Sequence, residues 1–205
     1  MRCLMCQKEK GDGDWLDILE CEDPLCHACR LSLSRVDFHM KFHGYPLYST
    51  YLYDDVFASM LIQYKECFDE ALKHAFIYPI RWWLNIRFFG YTVCYLPSSK
   101  AKVGKRGFHH LKEMYSGLCL ESLDLFEKID DYDQRDKSKE ERLKMVENIR
   151  LKQGIKVPKK ILLVDDTLTT GASMLGALHA LSKFDVKICI YVVCINRYWL
   201  GAHGS

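Results

Sequence analysis

Hydrophobic and polar positions sort this chain into two kinds of segment. Two apolar runs, residues 161–164 and 186–195, the second interrupted only by Lys187, read as strands buried on both faces, the pattern of a parallel sheet. Residues 93–96 read as a further strand of the same sheet. Between them lie periodic stretches. Val56, Met60, Leu61 and Tyr64 recur at helical spacing behind Asp54 and Asp55, with Lys65 closing that face. Residues from about 110 to 126 and from 174 to 184 also read as helices. Strands alternating with helices predict an α/β fold, a parallel twisted sheet flanked by helices. An aromatic stretch, Tyr78, Trp82, Trp83, Phe88 and Phe89 interleaved with Arg81 and Arg87, supports two readings. It is core packing, the commoner case, or a stacking platform for single-stranded nucleic acid.

The chemistry concentrates after the 161–164 strand. Two adjacent carboxylates, Asp165 and Asp166, are followed by a small-residue turn (Thr167, Leu168, Thr169, Thr170, Gly171, Ala172, Ser173) and then a helix. Such a turn presents backbone N–H groups and the positive end of a helix dipole, which together cradle a phosphate. Gly171 permits close approach of the anion, and the hydroxyls of Thr169, Thr170 and Ser173 add donors. The two carboxylates repel phosphate, so they face hydroxyls or a divalent cation on the same ligand. An anion cradle beside an acidic pair describes a site for a phosphorylated sugar with diol and metal. A receiver domain also ends a strand with two acids, but near its start. A dehalogenase-type phosphatase separates its acids by one residue. Both fail on spacing.

A second loop follows the 93–96 strand: Pro97, Ser98, Ser99 and Lys100, then Lys102, Lys105 and Arg106. Hydroxyls and cations at a strand's carboxyl end suit a pyrophosphate. Taken alone, the loop reads better as a solvated basic turn.

Composition narrows the picture. The 205 residues suit one α/β domain with an appendage, and 49% hydrophobic content is ample for a core. A net charge of +2 gives no overall preference for acidic partners. No apolar run is long enough to span a bilayer, and the first residues lack a signal-peptide core, so a cytoplasmic protein is expected. Ten cysteines then argue for thiols that are free or metal-bound. Cys3 with Cys6 and Cys26 with Cys29 form two Cys-x-x-Cys knuckles, whose four thiolates would close a structural, tetrahedral Zn²⁺ site. Cys21 and His27 are alternative ligands, and a redox dithiol or an unliganded leader stays open. The expected organisation is a zinc-binding appendage over 1–45, a main domain over 46–200 with a charged flap over 128–157, and a tail over 201–205.

Residues 160–173 resemble the 5-phosphoribosyl-1-pyrophosphate (PRPP) loop of type I phosphoribosyltransferases: an apolar strand, two acids, then Thr-Gly-x-Ser/Thr. The resemblance implies that residues 167–173 hold the 5-phosphate and that Asp165 and Asp166 hold the ribose hydroxyls. It implies that Ser98, Ser99 and Lys100 meet the Mg²⁺-bound pyrophosphate, with Asp165, Asp166 and Lys100 as the catalytic set. Purine-type members carry an Asp within the phosphate turn, where this chain has Thr169, whereas orotate-type members tolerate Thr, so transfer itself stays open. Pro97, Ser99, Lys100, Arg106, Gly107 and Phe108, behind cysteine knuckles, are similar to the ComF family of competence proteins. That family carries Pro-Leu-Ser-Lys and Arg-Gly-Phe-Asn-Gln. Here His109 and His110 replace Asn and Gln, while a second pair of knuckles and a Gly after Lys65 are missing. Gln134, Lys137, Ser138, Glu141, Arg142 and Asn148 resemble the family's flexible loop. The implied function is a PRPP-binding protein of DNA uptake, handling imported single-stranded DNA beside competence and recombination proteins, with a homo-oligomer compatible. The alternatives are a nucleobase-salvage phosphoribosyltransferase and a non-catalytic DNA- or protein-binding adaptor.

Overall fold

The structure, a computed structural model, describes residues 2–10, 23–98, 100–128 and 149–201, with the backbone alone for 100–102. A six-stranded sheet organises them, in the order β1-β2-β8-β7-β3-β4. Its strands are β1 (Arg35–Phe42), β2 (Tyr45–Leu52), β3 (Thr92–Tyr95), β4 (Ser122–Leu123), β7 (Lys160–Leu168) and β8 (Lys187–Ile195). All neighbours pair in parallel except β1, which lies antiparallel to β2 at the edge. The two central strands, β7 and β8, contain the two apolar runs, and each is buried along nearly its whole length. The expected parallel α/β sheet is therefore present.

Helices cover the sheet. They are α1 (His27–Leu31), α2 (Asp55–Glu66), α3 (Arg81–Arg87), α4 (Lys100–Arg106), α5 (His110–Met114), α6 (Ala172–Leu181) and α7 (Arg197–Gly201). The Asp54 carboxylate caps α2 by accepting from the Phe57 N–H at 2.9 Å, so the helix starts where its polar prefix ends. Phe57, Met60, Leu61 and Tyr64 form its buried face.

Several local expectations are corrected. The hairpin β1–β2 lies partly within the stretch assigned to the appendage, so the sheet starts at Arg35 rather than after residue 45. Its apolar set (Val36, Phe38, Met40, Phe42) alternates with Arg35, Asp37, His39 and Lys41, which suits an edge strand that must not recruit another chain. His43 and Gly44 both take positive φ, 47° and 87°, in a two-residue hairpin turn. The long helix expected over 110–126 stops at Met114. There the Ser116 hydroxyl donates to the Glu113 carbonyl at 2.7 Å, and the chain continues as β4 and β5 (Phe126–Lys128). β5 pairs antiparallel with β6 (Ile149–Leu151). The expected flap residues Gln134, Lys137, Ser138, Glu141, Arg142 and Asn148 lie outside the described residues, as does most of the tail. The aromatic stretch divides: Phe88 is fully buried among Tyr48, Trp83 and Tyr91, whereas Trp82 and Phe89 are largely exposed.

Arg30 ties the cysteine module to the sheet. Its guanidinium holds Asp23 through two bonds of 2.6 and 2.9 Å and donates to the Ala75 carbonyl at 2.7 Å. Both side chains are almost buried, 11% and 4% exposed. Removing one partner strands the other charge away from water. Arg30→Ala is expected to destabilise the chain by about 3 kcal/mol in a urea titration, with the slope of the transition unchanged.

Candidate functional site

β7 carries both acids, but inside the strand, which runs on to Leu168 rather than ending at Val164. Neighbouring side chains of a strand point to opposite faces. The two carboxylates consequently have separate fates. Asp166 is 5% exposed, and its Oδ2 lies 2.5 Å from Lys65 Nζ and 2.7 Å from His110 Nε2. Burial pushes its carboxyl up, but the Lys65 ammonium and the His110 hydrogen bond outweigh this and hold it well below the usual carboxylate range. Burial and the charges of Lys65 and Arg106 together lower His110, against the pull of Asp166. Asp165 turns its Oδ1 back to the Asp166 N–H at 2.9 Å and stays half-buried, while the Tyr115 hydroxyl donates to its carbonyl at 2.9 Å.

The turn after β7 is shaped by distant residues. Gly171 caps α6 with φ 77°, and a Cβ built there would come within 2.6 Å of Phe42 from β1. Both the dihedral and the space demand glycine. Trp199 of α7 meets Phe42 edge-on at 5.7 Å and donates its indole N–H to the Thr169 carbonyl at 2.8 Å. The Ala172 N–H reaches the Thr170 hydroxyl at 3.4 Å.

A cavity of about 360 Å³ opens between this turn and the second loop. Asp165, Asp166, Thr167, Thr169 and Ser173 line one side; Pro97, Ser98, Arg106 and His110 the other; and Lys65, Lys128, Tyr53 and Leu61 complete it. The structure thus brings Asp165, Asp166, Thr167, Thr169, Ser173 and Ser98 together. Leu168 is buried behind the turn, and Thr170, Gly171 and Ala172 form the turn's backbone without lining the cavity. Ser99 lies outside the described residues, and Lys100 opens α4. Lys65, Arg106, His110 and Lys128 join the site as well. Lys65 closes the α2 face, and Arg106 and His110 belong to the second loop and the Arg-Gly-Phe stretch that the sequence singles out; Lys128 alone carried no sequence signal. Hydroxyls, three cations and a helix N-terminus facing one half-buried acid make a cavity suited to a multiply charged anion bearing hydroxyls. A separate cavity of about 270 Å³ lies between β2 and the Pro79–Trp83 segment, and its charged residues Arg35 and Asp37 already pair with each other at 2.8 Å.

The cysteines form a second centre. The thiols of Cys3, Cys6, Cys26 and Cys29 lie within 4.8 Å of one another, and the Cys6 and Cys26 sulfurs are 3.8 Å apart. That separation is too long for a disulfide and matches the edge of a tetrahedron of Zn–S bonds. Burial raises the Cys3 thiol, but the amides of Cys6, Cys26 and Met5 aimed at its sulfur outweigh this and bring it down to about 6. The donor set fits a structural zinc ion. Cys21 lies outside the described residues, and His27 is not in the four-thiol cluster.

Comparison with known proteins finds likeness over parts of this chain. Residues 103–198 match the phosphoribosyl transferase domain model. The competence protein ComFC of Streptococcus pneumoniae is 36% identical over 84 residues, covering 41% of this chain and 38% of the relative, so the chain spans well under half of that protein. A crystal structure of a hypoxanthine phosphoribosyltransferase from Staphylococcus aureus covers 61% of this chain and 62% of its own, at 15% identity and a TM-score of 0.36.

Two outcomes are expected. Purified chain should carry close to one zinc per molecule by elemental analysis, and a strong chelator should lower its melting temperature; Cys26→Ser should lower both the zinc content and the melting temperature. For Asp166, the folded-state depression stabilises the chain above the ordinary value of 3.8 and is lost as pH falls towards the folded value. Denaturant titrations between about pH 6 and 2 should show that loss, and Asp166→Asn should flatten it while costing about 3 kcal/mol at neutral pH. Residues 103–198 thus match a phosphoribosyl transferase domain, and 84 residues of the chain are similar to the competence protein ComFC.

Proposed function

We propose that the cavity binds PRPP, or a phosphoribosyl ligand of the same charge pattern, with Mg²⁺. The observation that carries this reading is that Asp165, Thr169 and Ser173 at the α6 N-terminus line one cavity together with Lys65, Arg106 and Lys128. The turn over residues 167–173, with Thr170, Gly171 and Ala172 supplying backbone amides, receives the 5-phosphate. Asp165 takes the ribose hydroxyls, and Asp166 stands behind it as the counter-ion of Lys65. Ser98, Ser99 and Lys100 attend the pyrophosphate end, where Mg²⁺ would neutralise the leaving group when bound. Lys100 with Asp165 forms the catalytic set of this reading, and Asp166 acts on it through Lys65. Holding the ribose against fixed donors is what such chemistry asks of a protein, since positioning and charge stabilisation supply most of the rate.

The ComFC likeness supports a role in natural competence, with the chain in the cytoplasm acting on or beside imported single-stranded DNA. Among the described residues no helix is long and apolar enough to cross a membrane. Partners of that role are single-stranded DNA and competence or recombination proteins. Salvage of a nucleobase is the competing activity, and it predicts pyrophosphate release when PRPP is offered with a panel of free bases.

Calorimetric titration with PRPP and Mg²⁺ tests the ligand. The wild-type chain is expected to bind with measurable heat, and Asp165→Asn to weaken binding by about tenfold, roughly 1.4 kcal/mol. No binding by the wild type, or equal binding by the variant, would sink this reading.

A further inference from the structure

We propose that His110 is a positioning residue of this cavity: its two ring nitrogens tie Asp166 on β7 to Arg106 at the end of α4, and so preset the cations that meet the ligand's anionic groups. The proposal rests on the reading that the cavity takes a phosphoribosyl ligand. His110 Nε2 lies 2.7 Å from Asp166 Oδ2, and Nδ1 lies 3.2 Å from Arg106 Nη1 and 3.4 Å from the Ser98 hydroxyl. A guanidinium can only donate, so Nδ1 must present its lone pair. The ring proton then sits on Nε2 and is donated to Asp166, which selects one neutral tautomer.

Arg106 in turn is held at three points. Besides Nδ1, it donates to the Lys65 carbonyl at 3.1 Å and to the Glu66 carboxylate at 3.2 Å. The side chains of His110, Asp166 and Arg106 are 7%, 8% and 8% exposed, so water offers these groups little compensation. Lys65 belongs to the same circuit through Asp166. One imidazole therefore locks three pieces of chain that are far apart in sequence: the end of α2, the second loop and β7. Cations fixed in this way need no reorganisation when an anion arrives, which lowers the cost of binding. The ring also lies parallel to that of His109, 6.0 Å away, and the Tyr64 hydroxyl donates to the His110 carbonyl at 2.7 Å. These contacts fix the ring's plane as well as its position. A glutamine amide also offers one donor and one acceptor, so H110Q keeps the required chemistry and H110A removes it.

Long-range ¹⁵N–¹H NMR of the full, zinc-loaded chain at neutral pH reads the tautomer directly, with His110 assigned by the signal missing in H110Q. A neutral ring protonated at Nε2 is expected; an Nδ1–H tautomer or an imidazolium overturns the proposal whatever the ligand. Calorimetry with PRPP and Mg²⁺ then compares wild type, H110Q and H110A. The wild-type titration tests the ligand reading separately, and no binding there removes both. Where the wild type binds, H110A is expected to bind at least about tenfold more weakly and H110Q within about threefold of wild type. H110A matching wild type, or H110Q falling as far as H110A, overturns the positioning role and leaves the ligand reading intact. Should H110A not fold, R106K takes its place. An ammonium cannot span Nδ1, the Lys65 carbonyl and Glu66 together, so a comparable loss is expected and unchanged affinity overturns the proposal.

Discussion

A carboxylate buried in the middle of a parallel sheet is the constraint around which this molecule is arranged. Asp166 is 5% exposed, towards the carboxyl end of a central strand, and an isolated charge there would cost far more than the folded state can supply. Lys65 and His110 resolve that cost, and each brings a covering element with it. The ammonium comes from the last turn of α2 and the imidazole from the first of α5. The docking of both helices on the sheet is thus coupled to the ionisation of one side chain. The same pairing delivers Lys65 and Arg106 to the edge of the ligand cavity, so the feature that makes the acid tolerable also gives the cavity its positive wall.

The phosphate turn shows a similar dependence on remote chain. Its glycine is pressed by Phe42 from the edge strand, and its Thr169 carbonyl is held by Trp199 from α7. The edge hairpin therefore closes the sheet and also braces the turn from behind. The cysteine module, pinned through Arg30 to the Ala75 carbonyl, abuts the same half of the molecule. A four-thiol centre that stiffens this corner is consistent with a scaffolding ion, since four protein ligands leave no coordination position for chemistry.

Legibility varied with the reach of the interaction. The central strands were plain because burial on both faces demands uninterrupted apolar residues. The helix α2 was plain because one buried stripe leaves a periodic trace. The edge hairpin was missed although its alternation is present, because charges on alternate positions of a single strand look like a polar leader until a partner strand is known. The helix expected beyond Met114 failed for a local reason, the Ser116 hydroxyl satisfying a carbonyl that the next turn would have used.

For the site, local sequence by itself determined the acids, the small-residue turn and the two cysteine knuckles, because each of these works through neighbours in the chain. A turn's amides, a helix terminus and a thiolate pair need only a few consecutive residues to be recognisable. Tertiary structure alone decided which of the two cavity-lining acids is spent as a counter-ion, since the approach of Lys65 and His110 settles that. It alone recruited Lys128, and it alone tied Arg106 to His110. Charge pairing acts through space and leaves no period or spacing along the chain, so those choices became visible only once the sheet was assembled.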